Sequence, residues 1–276
     1  MTTLSNRDGD AALPIGLVEP PWPGAEAPRP HALHDELAIG RRRLSAIFRS
    51  SPPRSCKPGE LLSAIGGPRD MIYRLRAGWA CRVLDLSGGR RAVLDVYLPG
   101  DVIGLDRVLR ARAPEQIVTL TSVTAEAVPA EHALMTLMEY RPTAVYVAWL
   151  LGQSQRRAYR FLAAMSCLDA RGRVAMMVLD FYMRLRSRRA ITGLTYNLPL
   201  TQIQIGHYLG LTVVHINRVL RILRDERIVS FEKHCVTIVD LERLSGLAQS
   251  ADMIKPPQPS ASAPPEIALS KVEAAD

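Results

Sequence analysis

HYLGLTVVHINRVLR, residues 207–221, holds two helical patterns pinched at Gly210, and the second has two faces of opposite character. At about 100° per residue, Ile216, Val219, Leu220 and Leu223 fall on one side of that helix. Val214, Asn217, Arg218 and Arg221 fall on nearly the opposite side. The aliphatic side is ordinary packing against a domain. The polar side carries no acid in its first two turns, whereas a helical hairpin buried in a core would show an outer face of mixed sign.

The flanking residues frame the stretch. Thr201 and Gln204, three places apart, form a capping box, so a helix starts there and runs to about Leu209. Gly210 suits the left-handed residue after that helix, and Thr212 can cap the next. A short helix, a tight glycine turn and a second helix make a helix-turn-helix. Upstream, Asn197-Leu198-Pro199 is a turn. Downstream, IVSF and CVTIV flank the polar turn Glu232-Lys233-His234 and predict a hairpin, after which Asp240 caps LERLSGLA. A hairpin directly after such a helix is the wing of a winged helix. Asparagine and arginine on the exposed face suit adenine and guanine edges, and valine suits a thymine methyl.

Charge points the same way. The 276-residue chain carries +8, and the excess is local. Between Phe181 and Arg227 eight arginines (184, 186, 188, 189, 218, 221, 224, 227) face two acids, Asp225 and Glu226, a net +6 that suits a polyanion. Hydrophobic residues make up 47%, which excludes a wholly disordered chain. No apolar run approaches the ~20 residues of a membrane span, and MTTLSNRDGD lacks a basic region followed by an apolar core. The expectation is a soluble cytoplasmic protein. Cys56, Cys81, Cys167 and Cys235 form no C-x-x-C pair, which predicts reduced structural thiols, with Cys235 the one closest to the reading segment.

Residues 1–30 and 251–276 are rich in proline and lack apolar periodicity, so they are expected to be a disordered arm and tail. From 31 to 140, a helix over HDELAIGRRRLSAIF precedes the strand-like runs MIYRLRAG, WACRVLDL, RAVLDVYL and QIVTLTSVTAEAV. Turn signals separate them: Pro58-Gly59, Gly66-Gly67-Pro68, Ser87-Gly88-Gly89 and Pro99-Gly100-Asp101. Short β-runs at this spacing predict an antiparallel roll or barrel. After Pro142 the period becomes helical, giving one long helix within 141–168. Val145, Ala148, Gly152, Tyr159, Leu162 and Ser166 follow a loose three-four spacing along it. That pattern marks a dimerisation seam, and equally a helix lying on its own core. Asp169 caps a further helix that opens the winged helix-turn-helix domain, 169–250. The fold class is thus α+β.

With these motifs in place, the chain resembles the cyclic AMP receptor protein/FNR (CRP/FNR) family of bacterial transcription regulators across most of 31–248. The roll turn Leu98-Pro99-Gly100-Asp101-Val102-Ile103-Gly104, the hinge Leu168-Asp169-Ala-Arg-Gly172-Arg173 and the segment Thr201 to Thr212 carry the likeness. The resemblance implies a cyclic-nucleotide-binding-like (cupin-like) roll, a homodimer, an operator of double-stranded DNA and RNA polymerase as partners. It assigns base reading to Val213, Val214, Asn217 and Arg218, and phosphate contact to Thr201, Gln202, Thr212, His215 and Arg221. The best-known relatives carry glutamate where this chain has Val214, so a different half-site is expected.

The sensor departs further from the family. Cyclic AMP-binding members place a glutamate just after the Gly-Asp turn and an Arg-Ser pair for the phosphate. Leu105 and Gln116-Ile117 stand there instead, so a cyclic phosphate would lack a cationic partner and cyclic AMP is not expected. No cysteine lies in the N-terminal arm, so an FNR-type iron–sulfur cluster is not expected either. His31, His34 and His132 have no ligand spacing, and no metal site is predicted. The first 140 residues hold no set of nucleophile with carboxylates or arginines for an enzyme acting on DNA. The expectation is a sequence-specific regulator of unidentified effector. The alternatives are a cyclic-nucleotide-activated relative and a non-specific architectural DNA binder.

Overall fold

In the computed structural model, residues 31–63, 71–106 and 114–249 are described. The expected arm, the expected tail and the Gly66-Gly67-Pro68 turn lie outside them. Helix α1 (His31–Arg49) leads into eight strands: β1 (Arg54–Cys56), β2 (Leu61–Ser63), β3 (Met71–Ala77), β4 (Ala80–Asp85), β5 (Arg91–Tyr97), β6 (Val102–Ile103), β7 (Gln116–Thr119) and β8 (Val123–Pro129). They form two antiparallel four-stranded sheets, β1-β8-β3-β6 and β2-β7-β4-β5. The expected roll is present. The single run expected over QIVTLTSVTAEAV is in fact two strands, one in each sheet. The bend at Leu120–Ser122 carries the chain across, and the Thr121 hydroxyl accepts from the Trp79 amide there at 2.9 Å. The roll holds an apolar cluster, with Leu62, Leu75, Ala80, Ile103, Ile117 and Ala125 at its centre.

Two helices close one side. Helix α2 (Ala130–Glu139), which the sequence reading left within the roll, follows β8 directly, and α3 (Arg141–Cys167) then runs 27 residues. Helix α3 starts at Arg141, at the expected bound, and accommodates Pro142 because proline is tolerated in a first helical turn, where the amide has no intrahelical partner. Leu44, Phe48, Ile72, Val128 and Val147 form the core between α1, α3 and the β3/β8 face. At its edge Arg74 and Glu126 pair, with 14% and 8% of their side chains exposed.

The hinge into the second domain is tied at both ends. The Asp169 carboxylate accepts from the Gly172 amide at 2.8 Å and caps α4 (Ala170–Ser187). Arg173 reaches back to the last carbonyls of α3, Leu168 at 3.0 Å and Met165 at 2.8 Å. Helix α4 is buried on most sides, with Val174, Val178 and Phe181 fully enclosed. Around it lie β9 (Thr195–Asn197), α5 (Gln202–Leu209), α6 (Val213–Asp225), β10 (Val229–Glu232), β11 (Cys235–Ile238) and α7 (Leu241–Gln249). The wing is a three-stranded sheet, β10-β11-β9, rather than the expected two-stranded hairpin. Asn197, expected only in a turn, ends the added strand and pairs with Cys235. The Asp240 cap of α7 is present, accepting from Arg243 at 2.9 Å.

The two domains share one apolar core. Cys81 and Val83 of β4, Val96 of β5 and the flanking Trp79 and Leu98 belong to one buried cluster with residues of α4 and α5. Trp79 meets Phe181 edge-on, with ring centroids 5.5 Å apart, and Phe181 stacks on Tyr208 of α5 at 6.0 Å.

Candidate nucleic-acid interface

The helix-turn-helix forms as its capping residues require. The Thr201 hydroxyl accepts from the Gln204 amide at 3.2 Å, and the Gln204 side chain accepts from the Thr201 amide at 2.8 Å. Gly210 takes the left-handed conformation (φ 64°). Between the helices the Leu211 amide donates to the Gly206 carbonyl at 3.0 Å. The Leu211 carbonyl lies so close to Gly206 that an added Cβ would meet it at 2.6 Å. Thr212 caps α6 by accepting from the His215 amide at 3.3 Å.

The packing face and open face of α6 separate as the angles predict. Ile216 and Leu223 are fully buried, and Val219 and Leu220 nearly so. Val214 is 79% exposed and Val213 38%. His215, Asn217, Arg218 and Arg221 are exposed on the same open side. Among the described residues Arg221 pairs with Asp225 of its own helix, at 3.7 Å and with both side chains exposed. Such a pair adds little and leaves the guanidinium open to an anion.

Thr201, Gln202 and Thr212 lie at the N-termini of α5 and α6. Both threonine hydroxyls accept a backbone hydrogen bond, which leaves each O–H proton free to be donated outward. Together with the positive ends of two helix dipoles, that arrangement suits phosphate oxygens.

A groove of about 480 Å³ separates the start of α5 from the wing, with Gln202, Ile203, Val213, Phe231 and Lys233 on its walls. Lys233 and His234 form the wing tip, both exposed and both at positive φ (45° and 68°) in the two-residue turn of the hairpin. They extend the basic rim beyond the residues chosen from sequence. The polar Glu232-Lys233-His234 turn was the available signal, but its position beside α5 depends on the sheet.

Two of the eight arginines do not belong to this surface. Arg184 and Arg188 turn inward, onto Asp101 of the roll at 2.6 Å and 2.5 Å. Their charge is spent inside the molecule, so the +6 block overstates what a polyanion would meet. Arg186 instead donates to the Tyr182 hydroxyl at 2.8 Å.

Within the roll, the expected departures have clear placements. Leu105 is half-buried and packs against the apolar cluster between the roll and helices α1 and α3. Gln116 points outward and donates to Asp85 at 2.9 Å, and Ile117 fills the interior. Arg82 holds Asp106 through both terminal nitrogens (2.5 and 2.8 Å) and donates to the Tyr97 hydroxyl at 2.8 Å, with Glu115 at 3.4 Å. Burial alone would lower the Arg82 pKa, but the bond to Asp106 and the neighbouring charges outweigh it and raise it. Among the described residues no cluster of three or more metal-ligating side chains occurs, and no helix is long and apolar enough to cross a membrane. His34 and His132 are exposed and separate, while the His31 side chain lies outside the described set. The four cysteines are free. Cys56 and Cys81 are buried, Cys167 is exposed, and Cys235 is half-buried on the groove wall.

Residues 172–247 match the model of the Crp-like helix-turn-helix domain, and residues 53–140 match that of the cyclic nucleotide-binding domain. The transcriptional regulatory protein btr of Bordetella pertussis is 25% identical over 199 residues, covering 68% of this chain and 78% of that protein. The anaerobic regulatory protein of Pasteurella multocida is 27% identical over 191 residues, 68% and 69% of the two chains. Among solved structures, FixK2 from Bradyrhizobium japonicum superposes with a TM-score of 0.65 at 22% identity, over 71% of this chain and 96% of that one.

Proposed function

Since the chain belongs to the CRP/FNR family of transcription regulators, with a helix-turn-helix DNA-binding domain, we propose that it acts as a homodimer reading a two-fold symmetric operator. Val213, Val214, Asn217 and Arg218 read bases in the major groove. Thr201, Gln202, Thr212, His215 and Arg221 hold phosphates and set the register. The observation that carries this reading is the open face of α6, free of acids over its first two turns, with Val214 79% exposed beside two capped helix N-termini. The protein works in the cytoplasm, where the chromosome is, with RNA polymerase as its downstream partner.

Dimerisation through α3 is supported by an exposed stripe at alternating four- and three-residue spacing. It consists of Ala148, Gly152, Gln155, Tyr159, Leu162 and Ser166. Tyr159 and Leu162 are each 62% exposed, and nothing approaches Gly152 within 4 Å, which leaves room for a second helix.

Cyclic AMP is not the effector in this reading. A cyclic phosphate would find Leu105 and Ile117 where family members offer polar groups, and the interior cation Arg82 is already held by Asp106. Calorimetry with cyclic AMP and cyclic GMP separates this reading from a cyclic-nucleotide-activated one.

The direct test of the reading face is Arg218→Ala. The loss of one bidentate base contact costs about 1–3 kcal/mol at one operator position and relaxes specificity there. Operator binding by the variant as tight as wild type shows that the face is misassigned.

A further inference from the structure

The turn Pro99-Gly100-Asp101 does more than join two strands of the roll. Its Asp101 carboxylate, 9% exposed as a residue, receives Arg184 of the last turn of α4 at 2.6 Å and Arg188, which caps that helix, at 2.5 Å. The same arginines donate to backbone carbonyls of the roll, Arg184 to Val96 at 2.9 Å and Arg188 to Pro99 at 2.7 Å. Burial pushes the Asp101 carboxyl up, but Arg188, Arg184 and Arg157 outweigh it and hold it well below the usual carboxylate range. The Leu98 amide fixes the carboxylate at 2.8 Å. Beside the cluster runs the aromatic row Trp79, Phe181 and Tyr208, which passes from the roll through α4 into α5 of the reading unit. Helix α6 itself packs on α4, α5 and β10, and its base-reading face stays open. The cluster therefore orients the reader without covering it.

We infer that the Asp101–Arg184–Arg188 cluster is an interdomain latch that fixes the angle of the winged helix on its own roll, so that the two reading helices of a dimer are held at operator spacing. A domain held only by its hinge would sample many orientations, and the second half-site would be engaged at low effective concentration. A latch of buried charges resists salt screening better than exposed pairs do. Without the Asp101 charge, Arg188 loses its carboxylate and Arg184 is left with Asp180 of its own helix, at 3.4 Å, so the charge link from α4 to the turn is lost. The inference rests on the dimeric reading above.

Asp101→Asn keeps an oxygen for the Leu98 amide and removes the charge that holds both arginines. Arg188→Met removes one of the two arginine arms, with its bond to the Pro99 carbonyl, and changes no residue of the turn. Both are compared with wild type on a duplex selected from random sequence by the full-length protein, and on a duplex carrying one half of that site. Amide hydrogen exchange is followed over 96–101 and α4. The expected result is a loss of about tenfold or more on the full site, half-site binding unchanged, and faster exchange in both segments. Unchanged full-site binding overturns the inference, as does tighter full-site binding, which would make the cluster a restraint. An equal loss on full site and half-site also overturns it, because the reader itself is then damaged, as does unchanged exchange. If the wild type binds full site and half-site equally, the dimeric reading fails instead, and the exchange data alone decide whether the latch exists.

Discussion

Gly206→Ala sets two effects of similar size against each other inside the helix-turn-helix. Gly206 is buried in the interior of α5, where alanine is the better helix former by about 1 kcal/mol. On propensity alone the variant gains stability. The tertiary geometry opposes this, because the new Cβ would meet the Leu211 carbonyl oxygen at 2.6 Å, well inside the 3.4 Å at which ordinary contact begins. That oxygen belongs to the backbone immediately before the Thr212 cap, so relief requires α5 and α6 to move apart. Overpacking of this kind costs about 1–3 kcal/mol. Losing the 3.0 Å bond from Leu211 to Gly206 removes about 1 kcal/mol more. Against the propensity gain, the net loss is about 1–3 kcal/mol. With the two domains sharing one core, each kcal/mol corresponds to about 2–4 °C, so the midpoint falls by about 2–12 °C. Thermal unfolding followed by circular dichroism measures it, and operator binding weakens in parallel because α6 is tilted. A rise in the midpoint of a few degrees would refute the reasoning, since propensity would then have won and the close approach would be relaxed without cost.

Other consequences are simpler to check. Thr212→Ala removes the cap of α6 and a candidate phosphate contact together, so stability falls by about 1 kcal/mol and DNA affinity falls by more than that loss explains. Chemical denaturation and fluorescence anisotropy separate the two effects. Leu162→Glu places charge on the exposed α3 stripe; size-exclusion chromatography with light scattering should show a shift from dimer to monomer with helical content unchanged. Thiol labelling of the native protein should modify Cys167 first, at its exposed position. Cys81 stays unmodified at neutral pH, because burial pushes its thiol up to about 12. Mass spectrometry of the labelled peptides reports the order.

The elements legible in the sequence are those whose causes are local. Thr201, Gln204, Gly210 and Thr212 act within four residues of themselves, and the Ile216-Val219-Leu220-Leu223 stripe needs only helical geometry. All of them stand where the pattern places them. What escaped depends on partners distant in the chain. Strands β1, β2 and β6 are only two or three residues long and exist because β8, β7 and β3 pair with them. Strand β9 joins the wing through Tyr196 and Val236, 40 positions apart in the chain. Arg184 and Arg188 look like a DNA-facing cluster in sequence, because nothing local signals Asp101, more than 80 residues upstream. Charge counting locates a basic surface only to the extent that the charges stay outside.

Base reading by the open face of α6 is the central claim, and selection of bound duplexes from random DNA by the full-length protein tests it most directly. The account predicts one enriched, two-fold symmetric site, with half-site centres about 10–10.5 base pairs apart or a multiple of that spacing. Repeating the selection with Arg218→Ala should lose preference at one symmetry-related pair of positions while the rest of the site persists. A pool that shows no enriched sequence, or an enriched site identical for wild type and Arg218→Ala, would contradict it.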